Sequence, residues 1–211
     1  MTMLGLQTIS DGIAVDAESS YMQNDYGLVF MLTVLAWKPL LCVELGCLQG
    51  YSALHISAAL TINEQHGNGA GQLFVHDLFE DYKFNSDSQV NVKQRLDDHM
   101  AAHNVSLVRG DAYKAAEQYK DNSVHLLHID LSNCGKIVRD MIEMWHPKLQ
   151  MQAIIMIEGG SKWRDKVDWM TKYDRESIYD EINRNPILNG KYQYGTYHQF
   201  PSLTVGIKKD D

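Results

Sequence analysis

A short apolar run that leads into two glycines constrains this chain more than any other stretch. Residues 40–43 are Leu-Leu-Cys-Val, which is typical of a strand that is covered on both faces of a sheet. Glu44, Gly46 and Gly50 follow with the spacing E-x-G-x-x-x-G, and an apolar helical pattern comes next. Glycine lets the backbone turn tightly and approach a ligand closely, and a helix that begins near Ser52 offers N–H groups to an anion. The stretch therefore predicts a strand, a ligand-binding turn and a helix.

The spacing of the glycines distinguishes this turn from two known nucleotide-binding motifs. A dinucleotide-binding turn has the pattern G-x-G-x-x-G, and a P-loop has the pattern G-x-x-x-x-G-K-[ST], which occurs nowhere in the chain. A purely structural glycine turn is the alternative that these residues leave open.

Size and charge narrow the class of protein. The chain has 211 residues, of which 45% are hydrophobic, so it can bury a sizeable core as one domain over residues 1–211. We expect a helical cap segment over residues 1–36 and an α/β core over residues 37–211. The net charge of −8 disfavours a nucleic acid partner, which would need a basic surface. A small molecule is the expected substrate.

The cysteines and the N-terminal sequence indicate the cellular compartment in which the protein is expected. The three cysteines form no C-x-x-C pair and are odd in number, which indicates neither a disulfide framework nor a zinc site. The first 37 residues contain no Lys or Arg, unlike a signal peptide, and the apolar run over residues 28–37 is too short to cross a bilayer. We expect a cytoplasmic protein with no membrane partner.

Strand and helix patterns alternate along most of the chain, which predicts an α/β fold with a mostly parallel seven-stranded sheet and helices on both faces. The predicted parallel strands are residues 40–45, 72–77, 105–108, 124–129 and 153–157. A terminal antiparallel hairpin pairs residues 191–197 with 202–208. The predicted helices are residues 25–36, 51–61, 89–103, 112–119, 136–146 and 162–173.

Acidic residues follow the predicted strands. Asp77 closes the second strand, Asp111 follows the third, and Asp130 and Glu158 stand at the ends of the fourth and fifth. In open parallel sheets, ligands bind beyond the carboxyl ends of the strands, so these positions are candidate site residues. Asp77 and Asp111 can instead cap the helices that come next.

These residues together resemble the class I Rossmann-like methyltransferases, which use S-adenosylmethionine (SAM) and carry E/D-x-G-x-x-x-G after the first strand. Asp77 stands where this family places an acid that accepts hydrogen bonds from both ribose hydroxyls. Asp111 and Ala112 stand where the family contacts the adenine. The resemblance implies cofactor contacts at Glu44, Gly46, Gly50, Ser52, Asp77, Asp111, Ala112 and Asp130.

Within that family the chain is most similar to the catechol and caffeoyl-CoA type of O-methyltransferase, which shares the G-Y-S that ends at Ser52. That group holds a divalent cation with I-D-A-D-K after the fourth strand and D-N after the fifth. Asp130 matches the first Asp of I-D-A-D-K, and Glu158 stands at the position of the group's second metal ligand. The resemblance thus implies Mg²⁺ or Mn²⁺ on Asp130 and Glu158. The group's second Asp, its Lys and its Asn are replaced by Ser132, Asn133 and Gly159.

Two further features leave alternatives open. His128 shares a strand face with Asp130 by period two, so both are catalytic candidates, although a strand histidine can simply be packed. The aromatic tail can wall a substrate pocket or bury a homodimer face. Its members are Tyr192, Tyr194, Tyr197 and Phe200.

The leading hypothesis is a SAM-dependent methyltransferase that acts on a hydroxyl of a small molecule, with or without a divalent cation. Metal-free transfer to nitrogen, sulfur or carbon in the same fold is the second hypothesis. A non-catalytic SAM-fold partner protein is the third, because Asn133 replaces the family's Lys. Methylation of a DNA base is disfavoured, since no [DNS]-P-P-[YF] turn follows the fourth strand.

Overall fold

A computed structural model describes residues 2–210 and contains a seven-stranded mixed sheet with helices around it. The strands are β1 (Leu41–Leu45), β2 (Gln72–Asp77), β3 (Val105–Arg109), β4 (Val124–Ile129), β5 (Leu149–Glu158), β6 (Tyr192–Tyr197) and β7 (Leu203–Lys208). The strand order is β3-β2-β1-β4-β5-β7-β6. This order, with a terminal antiparallel hairpin, confirms the predicted Rossmann-like fold class.

The α-helices are α1 (Met3–Asp16), α2 (Tyr26–Trp37), α3 (Tyr51–Gln65), α4 (Gln89–Asp98), α5 (Ala112–Ala115), α6 (Gly135–Trp145), α7 (Asp168–Lys172), α8 (Ile178–Arg184) and α9 (Pro186–Lys191). Short 3₁₀ helices cover Ser20–Asn24, Phe79–Asp81, Ala116–Gln118 and Arg164–Lys166. None of these helices combines the length and the apolar character that crossing a bilayer requires.

The chain divides into two compact units, of which the first ends at Asp111 and the second begins at Ala112. In the first unit, β2 pairs in parallel with both β1 and β3. Leu45 lies opposite His76, and Asp77 lies opposite Arg109, so the carboxyl ends of the three strands share one edge. That edge carries the glycine turn.

In the second unit, β4 and β5 are parallel, and β7 pairs antiparallel with both β5 and β6. Ile129 lies opposite Ile157, so Asp130 and Glu158 stand at the same edge of this part of the sheet. Glu158 also lies opposite Leu203, where β7 begins. The residues that follow β5 are therefore close to the start of β7.

Three predicted helices are shorter or divided in the structure. The helix predicted over residues 112–119 is α-helical only to Ala115 and continues as a 3₁₀ helix over Ala116–Gln118. The helix predicted over residues 89–103 ends at Asp98, because Met100 adopts a left-handed backbone with φ of 52°. The helix predicted over residues 162–173 is divided by the extended backbone of Val167 into a 3₁₀ turn and α7. Helices α8 and α9 were not predicted. Ser177 and Asn185 cap their first turns with side-chain oxygens.

A buried histidine joins the first three helices. His55 Nδ1 lies 2.7 Å from the Tyr51 carbonyl oxygen, and its Nε2 lies 2.9 Å from Ser10 Oγ. A carbonyl can only accept, so Nδ1 carries the proton and Nε2 accepts from the Ser10 hydroxyl. Gly27 leaves room for the ring, because a Cβ there would lie 2.2 Å from Nε2. Burial lowers the pKa of His55 to about 4.

This histidine predicts a loss of stability in mild acid. Below the ordinary histidine pKa of about 6.5, His55 is protonated in the unfolded chain but stays neutral in the folded protein. The free energy of unfolding therefore falls as the pH falls toward 4. We expect His55 to account for about 2 kcal/mol of unfolding free energy lost between pH 7.5 and pH 5. Urea denaturation at the two pH values measures this loss. His55→Gln should flatten the pH dependence, whereas His66→Gln, at an exposed position, should leave it unchanged.

Candidate functional site

The turn after β1 has the backbone that its glycines predict. Gly46 and Gly50 adopt φ angles of 83° and 90°, in the left-handed region that favours glycine. The Gly46 N–H donates to the His76 carbonyl at 2.8 Å, and the Gly50 N–H donates to the Cys47 carbonyl at 2.7 Å. The turn is therefore a fixed loop beside the end of β2.

Glu44 and Ser52 connect the strand to the helix that follows it. Both side chains are buried, and the Ser52 hydroxyl donates to the Glu44 carboxylate. Ser52 lies in the first turn of α3, so this bond holds the start of the helix against the end of β1. The structure thus places both residues where they support the turn from inside.

Asp77 is bonded to the same turn. Its carboxylate accepts from the Cys47 N–H at 2.7 Å and from the Phe79 N–H at 2.6 Å. Each carboxylate oxygen has a second lone pair, so two acceptor positions remain after these bonds. The side chain is half-buried at the end of β2. Asp77 therefore fixes the turn and keeps the capacity to accept from a ligand.

Asp111 is placed near the same edge of the first unit. It is exposed and follows Gly110, whose N–H donates to the Asp77 carbonyl at 3.0 Å. Ala112 is buried and begins α5 in the second unit. Asp77 is thus bonded to the turn, and Asp111 follows the neighbouring strand at the same edge, whereas their roles toward a cofactor stay predictions.

In the second unit, the catalytic candidates differ in exposure. His128 lies within β4 opposite Met156 and is fully buried. Asp130 follows the strand and is half-buried at its carboxyl end. A base must contact the proton that it removes, so Asp130 is better placed than His128 to meet a substrate.

Glu158 has a partner that the sequence did not reveal. The Arg164 guanidinium lies 2.9 Å from the Glu158 carboxylate, and both side chains are buried. Arg164 follows the strand by only six positions and stands between Lys162 and Lys166 in an acidic chain. This local run of cations was the signal that could have drawn attention to it.

This ion pair bears on the cation that the resemblance implies. Glu158 is neutralised by Arg164, and Gly159 has no side chain to offer as a ligand. Within residues 2–210, no three His, Cys, Asp or Glu side chains are grouped so that they could hold a metal ion. The side chains as they stand do not fit the cation site, and we assign no chemical step to a metal. The cation on Asp130 and Glu158 stays a prediction.

The aromatic tail has mixed surroundings. Tyr192 is buried, and its hydroxyl lies 3.0 Å from His146 Nδ1. The Tyr194 hydroxyl donates to the Ile182 carbonyl at 3.1 Å, whereas Tyr197 is exposed. Tyr192 and Tyr194 therefore belong to the packing of the second unit.

A Rossmann-like sheet with a glycine turn after β1 and an acid that closes β2 defines the class I methyltransferase fold. A family model described as a methyltransferase domain matches residues 43–158, which is more than half of the chain. The chain belongs to this methyltransferase family. A search of curated proteins found no match.

Solved structures share the fold at low sequence identity. The SAH-bound methyltransferase PaMTH1 of Podospora anserina is 14% identical, with a TM-score of 0.69 over 97% of this chain and 88% of its own. The O-methyltransferase TomG of Streptomyces achromogenes, in complex with SAM, is 14% identical, with a TM-score of 0.66 over 100% and 92%. An O-methyltransferase of Bacillus cereus in complex with SAH is 13% identical, with a TM-score of 0.64 over 99% and 92%.

Proposed function

We propose that this chain is a SAM-dependent methyltransferase that transfers the methyl group to a hydroxyl of a small molecule. The observation that carries the proposal is the turn of Gly46 and Gly50, which Asp77 holds through the Cys47 N–H. TomG and the Bacillus cereus protein are O-methyltransferases that bind SAM or SAH in the same fold. Family membership and this turn together support SAM as the methyl donor.

The first unit supplies the binding groups. The positive φ angles of Gly46 and Gly50 bring the backbone close to a ligand without a Cβ in the way. The two remaining acceptor positions of the Asp77 carboxylate suit a pair of ribose hydroxyls. Asp111 is exposed just after β3, at the position that the resemblance assigns to the adenine. These residues bind and orient the donor.

The transfer also requires a group that acts on the acceptor. Bound SAM provides a sulfonium methyl with an excellent leaving group, so the protein must align the acceptor oxygen and remove its proton. Asp130 is the half-buried carboxylate at the end of β4, and we assign to it the acceptance of the hydroxyl proton. His128 remains the second candidate for this role.

Calorimetric titration with SAH and transfer of radiolabel from [methyl-³H]SAM to a panel of hydroxylated small molecules test the proposal. We expect micromolar binding of SAH and alkali-stable labelled ethers as products. Asp130→Asn should lower kcat by about a hundredfold or more and leave SAH affinity nearly unchanged, whereas Asp121→Asn, an exposed control, should alter neither. Labelled amine, thioether or carbon products would favour the second hypothesis, and absence of SAH binding would overturn the proposal.

The same assay decides the role of a cation. With Glu158 paired to Arg164, we expect turnover to be unchanged in EDTA. Loss of turnover in EDTA, with recovery on addition of Mg²⁺ or Mn²⁺, would restore the cation that the sequence predicts.

A further inference from the structure

Helix α2 is apolar on all sides. Residues 26–37 carry no charged side chain, although the chain as a whole has a net charge of −8. A helix that is apolar all round is normally covered on every side. Here α2 packs against α3 and buries one of its sides, which consists of Tyr26, Gly27, Phe30, Met31 and Val34. The opposite side of the helix remains partly exposed.

That opposite side is a stripe of apolar side chains. Leu28, Leu32 and Leu35 recur at intervals of four and three residues, so they lie on one helical face. Leu32 is 42% exposed, and Leu28 and Leu35 are half-buried. Val29 and Ala36 widen this face, which we call the leucine stripe. A contiguous apolar stripe, unlike apolar residues scattered singly, indicates a contact surface.

Opposite charges stand at the two ends of α2. Asp25 precedes the helix and Lys38 follows it, and both residues are exposed. Neither forms an ion pair within residues 2–210. Asp25 and Lys38 are equally far from the helix midpoint, as are Leu28 and Leu35, and Leu32 lies beside that midpoint.

This symmetry fits a second copy of the same helix, packed antiparallel. A two-fold axis through the helix midpoint places Asp25 of one copy next to Lys38 of the other, at both ends of the contact. The same axis places Leu28 next to Leu35 of the other copy and each Leu32 beside its counterpart. Antiparallel packing also brings opposite ends of the two helix dipoles together.

The charges argue against a membrane as the occupant of the stripe. Helices that lie in a membrane interface carry Lys or Arg along their polar face, which attracts anionic lipids. Helix α2 has no such residue between its ends, and the net charge of −8 repels an anionic surface. A neutral apolar face with one charge of each sign at its ends suits a copy of itself.

We propose that the leucine stripe of α2 is the interface of a homodimer, in which two copies of α2 pack antiparallel about a two-fold axis. The apolar side chains supply the affinity. Asp25 and Lys38 fix the orientation, because exposed ion pairs contribute more to specificity than to affinity. The interface involves neither the aromatic tail nor the methyl transfer, so its failure would leave the proposed function standing.

Sedimentation equilibrium of the full chain tests the interface. We expect a dimer at micromolar concentration. Leu32→Glu places two carboxylates beside each other at the axis and should raise the dimer Kd about a hundredfold or more. Val90→Glu, at a position on α4 that is 74% exposed, should leave the Kd unchanged, and so should Tyr197→Gln in the aromatic tail. Circular dichroism checks that each variant is folded.

Charge reversal tests the antiparallel orientation. Asp25→Lys places two lysines together at each end of the contact, and Lys38→Asp places two aspartates there. Each single reversal should weaken the dimer about tenfold at low salt, although the first makes the net charge of −8 less negative and the second makes it more negative. The double variant restores both ion pairs and the original net charge, and it should regain wild-type affinity.

Cross-linking gives a second readout of the axis. Leu32→Cys should form a disulfide-linked dimer under mild oxidation, whereas Val90→Cys should not, since Cys42, Cys47 and Cys134 are buried. A monomer at high micromolar concentration overturns the inference, whether or not it binds lipid vesicles through the stripe. A dimer that Leu32→Glu leaves intact, a dimer that Tyr197→Gln dissociates, or single reversals that the double variant does not correct also overturn it.

Discussion

Asp77→Ala is expected to weaken SAM binding by about a hundredfold or more. Two charge-assisted hydrogen bonds from ribose hydroxyls contribute roughly 1.5–3 kcal/mol each, and 1.4 kcal/mol corresponds to about a tenfold change in affinity. The same carboxylate also accepts the N–H groups of Cys47 and Phe79, so alanine loosens the turn as well. Calorimetric titration with SAM measures the effect.

Two variants separate these contributions. Asp77→Asn keeps one acceptor oxygen without the charge and should bind SAM with intermediate affinity. Asp97→Asn removes an exposed carboxylate that pairs with Lys93 on α4, and it should bind SAM as the wild type does. If Asp77→Ala binds SAM with wild-type affinity, Asp77 does not contact the cofactor.

Gly46→Val is expected to abolish measurable SAM binding in a protein that still folds. Gly46 has a φ of 83°, which costs a residue with a Cβ about 1–2 kcal/mol, and more when the side chain is β-branched. The added methyl groups would also stand in the turn where we propose that the cofactor binds. Circular dichroism measures folding, and calorimetry measures SAM binding.

Gly67 provides a control with a similar backbone. Its φ is 78°, and a Cβ there would meet no atom of the described chain within 4 Å. Gly67→Val therefore introduces comparable backbone strain away from the turn, and we expect it to lower stability and leave SAM affinity unchanged. Normal binding by Gly46→Val would mean that the turn is only structural.

The strands were predicted more accurately than the helices. Residues 72–77 and 124–129 were predicted as strands and are β2 and β4, because each apolar run is bounded by polar residues that end the pattern. Helices α8 and α9 have seven and six residues, and so short a periodicity does not stand out from a loop. Their caps, Ser177 and Asn185, are visible in the sequence only once the helices are known.

The candidate site, like the fold, was predicted from the sequence only in part. The turn of Gly46 and Gly50 lies within one short stretch, so its spacing alone indicates its conformation. The pair of Glu158 and Arg164 depends on a loop in which Ser161 contacts Ser202, 41 residues further along the chain. No local pattern reports such a contact, so the sequence indicated Glu158 as a candidate ligand but not its pairing with Arg164.

A crystal structure of the protein with SAH tests the central claim most directly. We predict that both ribose hydroxyls lie within hydrogen-bonding distance, about 2.5–3.0 Å, of the Asp77 carboxylate, with the cofactor against the turn of Gly46 and Gly50. SAH bound elsewhere, or a cofactor whose ribose does not reach Asp77, would contradict this account of the site.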